Sequence, residues 1–134
     1  MQVNREELLA QYAAGERNFA GLDLSGADLF EVNLEEINLK GSNLRQIYLA
    51  YANLCQANLQ IANLSDAEMS DAKLYLADLS GAVGRGVTVL LEHANLNKAN
   101  LSGCNLFRAR RANLSHAVLD RTTIYPDGYR QHEP

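Results

Sequence analysis

Between residues 19 and 79 a large apolar residue returns at every fifth position, and no other feature limits the fold of this chain so tightly. Phe19, Leu24, Leu29, Leu34, Leu39, Leu44, Leu49, Leu54, Leu59, Leu64, Met69, Leu74 and Leu79 follow one another without a slip. We call each of these a centre. Two positions before most centres sits a small or β-branched residue, such as Ala27, Val32, Ile37, Ala52, Ala57 or Ala62. One position before sits Asn or Asp in most units, as in Asp23, Asn33, Asn43, Asn53, Asn58 and Asn63. A helix repeats about every 3.6 residues and a strand about every 2, so a period of five fits neither. On a helix these leucines would spread around the whole circumference.

Two apolar residues two apart do share a face of one short extended segment. The remaining residues of the unit must then turn a corner and bring the next pair inward. Four such corners close a square coil of four five-residue units. Stacked coils pair backbone to backbone at roughly 4.8 Å. The pattern therefore predicts an all-β solenoid with leucines inside and small residues where the walls converge. Asn and Asp suit the corners because their side chains bond nearby backbone groups.

The stretch before the repeats reads differently. Asn4 followed by Glu7 is a capping box, Leu8, Leu9, Tyr12 and Ala13 recur at helical spacing, and Gly15 is a stop. So short a helix is marginal alone, and the open end of the first coil offers its apolar face a surface. We expect a capping helix over 1–16, repeats over 17–126 and a tail over 127–134. Two frame breaks interrupt the repeats. Near 81–93, Gly81-Ala82-Val83-Gly84-Arg85-Gly86 has lost its large centre, which predicts a bulge or loop at a corner or a recognition loop. Near 109–111, Ala109-Arg110-Arg111 counts as three extra residues before Leu114. Pro126 terminates pairing, and Tyr125 and Tyr129 are placed to cover the last coil.

The unit Ala-Asn-Leu-x-x, written nearly three times over Ala52–Leu64, resembles the A(D/N)Lxx signature of the pentapeptide repeat family. The flanks Leu9–Phe19 and Thr123–Tyr129 also look like those of cyanobacterial members. The resemblance implies a right-handed quadrilateral β-helix, here of about five coils with a short N-terminal capping α-helix. It implies a filled interior without a cleft, and many members have no known activity. Some members mimic B-form DNA and bind DNA gyrase, but those are generally longer, more acidic and dimerise through a C-terminal module.

Motifs for catalysis are missing from the sequence: it holds no G-x-S-x-G, phosphate-binding glycine loop or H-E-x-x-H. We expect no enzyme, no cofactor and no metal site. His93, His116 and His132 have no ligand partners at metal-binding spacing and read as surface residues. Cys55 follows a centre and should face outward, whereas Cys104 precedes Leu106 by two and should face inward. Their separation of about two and a half coils is roughly 12 Å along the axis, beyond the roughly 7 Å that a disulfide spans. The net charge of -4 argues against a general nucleic-acid binder. No run of apolar residues is long enough for a membrane helix, and the polar start Met1–Glu7 is unlike a secretory signal. These features predict a cytoplasmic protein.

The remaining reading is a protein-interaction or scaffold module, with DNA mimicry toward gyrase or another DNA-binding protein as the alternative. Every twentieth residue should stack on one wall. The wall of Leu29, Leu49 and Met69 then carries Asp28, Phe30, Glu31, Tyr48, Tyr51, Glu68 and Asp71 outward. Aromatic residues rimmed by acids resemble an interface centre, and the matching partner would be a basic protein rather than a nucleic acid or membrane. Packing of the rings on one another along the ladder would explain them equally. The acidic N-terminal third and the mildly basic end read as a solvated surface or as a salt-sensitive head-to-tail contact between molecules, and we expect a monomer or weak homodimer.

Overall fold

The structure, a computed structural model, describes residues 3–82, 93–104 and 111–124. The residue before each centre makes a parallel β-bridge to its equivalent one turn later. Asn18, Asn38, Asn58, Asp78, Asn100 and Val118 form the first wall. Asp23, Asn43 and Asn63 form the second, and Asp28, Tyr48 and Glu68 the third. Asn33, Asn53, Lys73, Asn95 and Asn113 form the fourth. Adjacent turns are joined through the centres, as where Leu54 N–H donates to the Lys73 carbonyl at 2.7 Å. Through Asp78 the bridged residues are twenty apart, which is four units.

The centres from Phe19 to Leu79, with Leu96 and Leu101, are buried, and so are the alanines two positions before them from Ala52 to Ala77 and at Ala94 and Ala99. Leucine and alanine thus divide the interior as their volumes require. The corners have one chemistry. The N–H three residues after a centre donates to the centre's carbonyl, as from Ala57 to Leu54 at 3.0 Å. The residue between, two after the centre, has a positive φ, as at Gln56 (62°) and Tyr51 (61°). A positive φ at the third position alone is the type II pattern. Asn and Asp act as the sequence predicts: Asn58 Oδ1 accepts from Gln60 N–H at 3.0 Å, and Asp23 Oδ1 from Ser25 N–H at 3.0 Å. Two described corners depart from this: after Leu119, Thr123 N–H donates to the Asp120 carbonyl at 3.1 Å and no residue has a positive φ, and after Phe19 a side chain replaces the closing bond. Ser42 Oγ, buried from the coil below, donates to the Phe19 carbonyl and accepts from Leu22 N–H, both at 3.2 Å.

Helix α1 spans Arg5–Ala13. Asn4 is the expected N-cap, its Oδ1 accepting from Glu7 N–H at 2.8 Å, but Glu7 Oε1 accepts from the Asn4 side-chain Nδ2 at 2.9 Å and not from the backbone N–H of a full capping box. Gly15, at φ 103°, ends the helix, with Gly15 N–H donating to Tyr12 and Glu16 N–H to Gln11. This is a Schellman termination. Leu8 is fully buried and Leu9 and Tyr12 pack partly against the same core. Ala13, expected on that face, is exposed, because five residues past Leu8 it has rotated away from the stripe.

Past Asp78 the pairing changes step. Lys73 pairs with Asn95 and Asp78 with Asn100, each 22 residues on. Asn95 then pairs with Asn113 and Asn100 with Val118, each 18 on. The second break is therefore a turn two residues short of twenty, not an insertion of three: the units around it lose residues instead of gaining them. The segments that absorb these changes, 83–92 and 105–110, lie outside the described residues, as do Tyr125, Pro126, Tyr129, His132 and the tail. Cys104 is buried and Cys55 half-buried, and His93 and His116 are exposed.

Candidate interaction surface

The seven residues singled out in sequence come together on the third wall. Its bridges fix Asp28, Tyr48 and Glu68 in one column. Glu31, Tyr51 and Asp71 occupy the next corner, each two after its centre, with φ of 62°, 61° and 60°. Phe30 lies between these columns. Its ring stacks on Tyr48 with centroids 5.5 Å apart and planes 7° apart. Tyr51 meets Phe30 edge-on at 5.8 Å and 86°. The cross-strand packing of aromatics thus occurs, yet Phe30, Tyr48 and Tyr51 stay 39%, 40% and 56% exposed. Ala50, which sequence spacing places outward in the column below Phe30, is buried at 5% exposure, flanked by Tyr48 and Tyr51.

Two of the four carboxylates also serve the backbone. Asp28 Oδ1 accepts from Phe30 N–H at 3.2 Å and Glu68 Oε1 from Ser70 N–H at 2.9 Å. Glu31 and Asp71 project from the corner. Periodicity alone missed what continues that corner past the first break. His93 and Arg111, at φ 61° and 56°, take the next two positions of the column. His93 Nδ1 lies 3.8 Å from Asp71 Oδ1. The signal was present, since His93 stands two after Leu91, but the break hid which wall that unit belongs to.

Three carboxylates elsewhere are held below the usual carboxylate range. Asp23 is held down by the Ser25 hydroxyl and then by Ser25 N–H. Asp120 is held down by the Thr122 hydroxyl and then by Thr122 N–H. Glu16 is held down by the backbone N–H of Asn18 and then of Arg17. Each accepts more than one hydrogen bond that favours its ionised form. Among the described residues no three His, Cys, Asp or Glu side chains gather to hold a metal, and no helix is long and apolar enough to cross a membrane. A cleft of about 380 Å³ lies between the start of α1 and the second corner, lined by residues including Val3, Glu7, Leu24 and Ala27.

A repeated five-residue unit, a left-handed corner in nearly every described unit and a turn of four units together define a class. The chain belongs to the pentapeptide repeat family, whose model matches residues 16–46, 47–83 and 89–123 in eight copies. Its fold is accordingly that family's right-handed quadrilateral β-helix. A pentapeptide repeat protein (Rfr23) from the cyanobacterium Cyanothece 51142 is 29% identical over 81% of this chain, with a TM-score of 0.47. This chain covers 63% of that protein, a little under two thirds of its length. A pentapeptide repeat protein from Nostoc PCC 7120 is 28% identical, covering 100% of this chain and 90% of its own, with a TM-score of 0.35. A trypsin-treated form of QnrB1, a plasmid-mediated fluoroquinolone resistance protein, is 20% identical over 79% of this chain and 63% of its own, with a TM-score of 0.42. A comparison with curated proteins returned no match.

Proposed function

We propose that this protein is a non-enzymatic interaction module that binds a basic protein partner through its third wall. The observation that carries the reading is the exposed Phe30–Tyr48–Tyr51 cluster ringed by Asp28, Glu31, Glu68 and Asp71. Rings held in fixed geometry lose little freedom on binding, and a rim of one charge selects its opposite. In this reading the β-helix has about five coils, α1 caps its first turn, and the module acts in the cytoplasm as a monomer or weak homodimer. The seven wall residues are its binding surface. DNA mimicry is disfavoured because the acidic corner column passes into His93 and Arg111, so one charge does not run the length of the wall.

The test is capture of partner from native extract by wild type and by the double variant Phe30→Ala/Tyr51→Ala. The wild type should retain a basic protein that elutes as salt rises, since exposed charge is screened within about a Debye length. The double variant should retain none of it. Losing the ring stack should cost stability only about 0.5–1.5 kcal/mol, so a melting curve separates lost binding from lost folding. Undiminished capture by the folded double variant would remove this wall from consideration.

A further inference from the structure

We infer that the open backbone edge of the third wall, at Asp28–Phe30, is where an extended basic segment of the partner docks, adding one further rung above the first coil. In the second coil, Tyr48 N–H donates to Ala27 at 2.9 Å, the Tyr48 carbonyl accepts from Leu29 at 2.7 Å, and the Ala50 carbonyl accepts from Glu31 at 3.0 Å. The same three groups in the first coil are Asp28 N–H, Asp28 C=O and Phe30 C=O. They point away from the second coil, and among the described residues none of the three has a protein partner.

Each of the other three walls of that coil has one of its three equivalent edge groups engaged. Glu16 Oε1 accepts from Arg17 N–H and Asn18 N–H at the first wall, both at 2.8 Å. Val3 N–H reaches the Asp23 carbonyl at the second, in a long 3.4 Å bond. Tyr12 Oη donates to the Glu35 carbonyl at the fourth, at 2.8 Å. Helix α1 and its flanks thus engage one of the three edge groups on each of those sides, and among the described residues only the side that carries the aromatic cluster has all three open. An unpaired edge of this kind pairs readily with an added strand.

Two further observations fit an extended, positively charged occupant. The 380 Å³ cleft opens beside residues 24–27, immediately before Asp28, and gives a segment leaving the edge a path beneath the start of α1. The surroundings are acidic: Glu6 and Glu7 are exposed on α1, and Asp28 and Glu31 on the wall, against Arg5 alone in the lining of the cleft. A strand laid on Asp28 would bring alternate side chains over Phe30 and the acidic rim, as side chains alternate along any strand.

This mode rests on the reading of the third wall given above, and the experiment separates the two. A fluorescent synthetic peptide of alternating lysine and valine is titrated by anisotropy, beside its fully backbone N-methylated counterpart and a glutamate–valine version. The lysine peptide should bind, weaken with salt and shift the amide resonances of Asp28 to Phe30. N-methylation should weaken it about tenfold, the loss expected for one or two backbone hydrogen bonds. The glutamate peptide should not bind. Asp28→Asn keeps the turn and the edge, so it should keep the N-methyl discrimination while flattening the salt dependence.

Equal binding of the N-methylated peptide would overturn the edge. If Phe30→Ala/Tyr51→Ala then abolished that binding, the wall would remain a side-chain surface. Failure of the lysine peptide to bind would overturn both readings. Concentration-dependent self-association that protects the Asp28 amide would overturn the proposal in favour of a second copy as occupant.

Discussion

Ile61 stands in a place built for glycine. Gly41 and Gly81 hold the same corner in the turns on either side, and Ile61 takes φ 52° there. A left-handed backbone strains an L-residue by about 1–2 kcal/mol, and a β-branched side chain is among the worst suited. In return the side chain lies over its neighbours, so that a methyl added at Gly81 would come within 3.1 Å of Ile61 Cγ2. It is nevertheless 58% exposed and buries little. We expect Ile61→Asn to raise stability by about 0.5–1 kcal/mol, because Asn tolerates this conformation. A lower urea midpoint for the variant would mean that the apolar cover outweighs the strain. The inward positions behave oppositely. Leu59 is fully buried, and Leu59→Ala should lose about 2–5 kcal/mol. Gln56 is exposed, and Gln56→Ala should stay within about 0.5 kcal/mol by the same denaturation.

Helix α1 is tied to the first coil by few but directional interactions. Leu8 is buried in the core, Tyr12 Oη reaches Glu35, and the Arg17 guanidinium sits 3.7 Å from the Tyr12 ring centroid while its Nη1 donates to the Tyr12 carbonyl. Deleting residues 1–14 would bare the first leucines and the backbone edge around Asp23 and Asn33. We expect the truncated protein to associate, seen as a mass increase by light scattering, and a monomer with unchanged melting would show that α1 has another role. Much of this was legible beforehand. The five-residue period gave the walls because side-chain volume alone decides which residues fit inside, and Asn4 with Glu7 gave the helix start. The corner type was not legible, because Gly21, Gly26 and Gly41 ask for a positive φ while Gln46, Tyr51 and Ile61 conceal the same demand. Nor was the continuation of the third wall into His93 and Arg111, since a count of residues cannot say whether a break lengthens one turn or shortens the next. The seven wall residues were legible as a group, but the burial of Ala50 beside the rings was not: an outward position is covered when its neighbours are large.

Over the whole molecule the depressed carboxylates give a direction to pH dependence. Asp23, Glu16 and Asp120 are held below their ordinary range in the folded chain and return to it on unfolding. Their stabilising effect is therefore present at neutral pH and is lost as pH falls through and below the ordinary carboxylate range. Asp23→Asn retains an acceptor for Ser25 without the titration. Its melting temperature should fall less than that of the wild type between neutral and acidic buffer, and parallel declines would assign the acid sensitivity elsewhere. The stepped pairing has a mechanical consequence. Each turn is held to the next by bridges between residues 20, 22 or 18 apart, so a pull on the C-terminal end would peel the molecule like thread from a square bobbin. Each slip would free roughly 60–80 Å of chain, at about 3.3–3.6 Å per residue. The long turn and the short one would differ by about four residues, or roughly 14 Å, and so mark their places in a trace of extension against force.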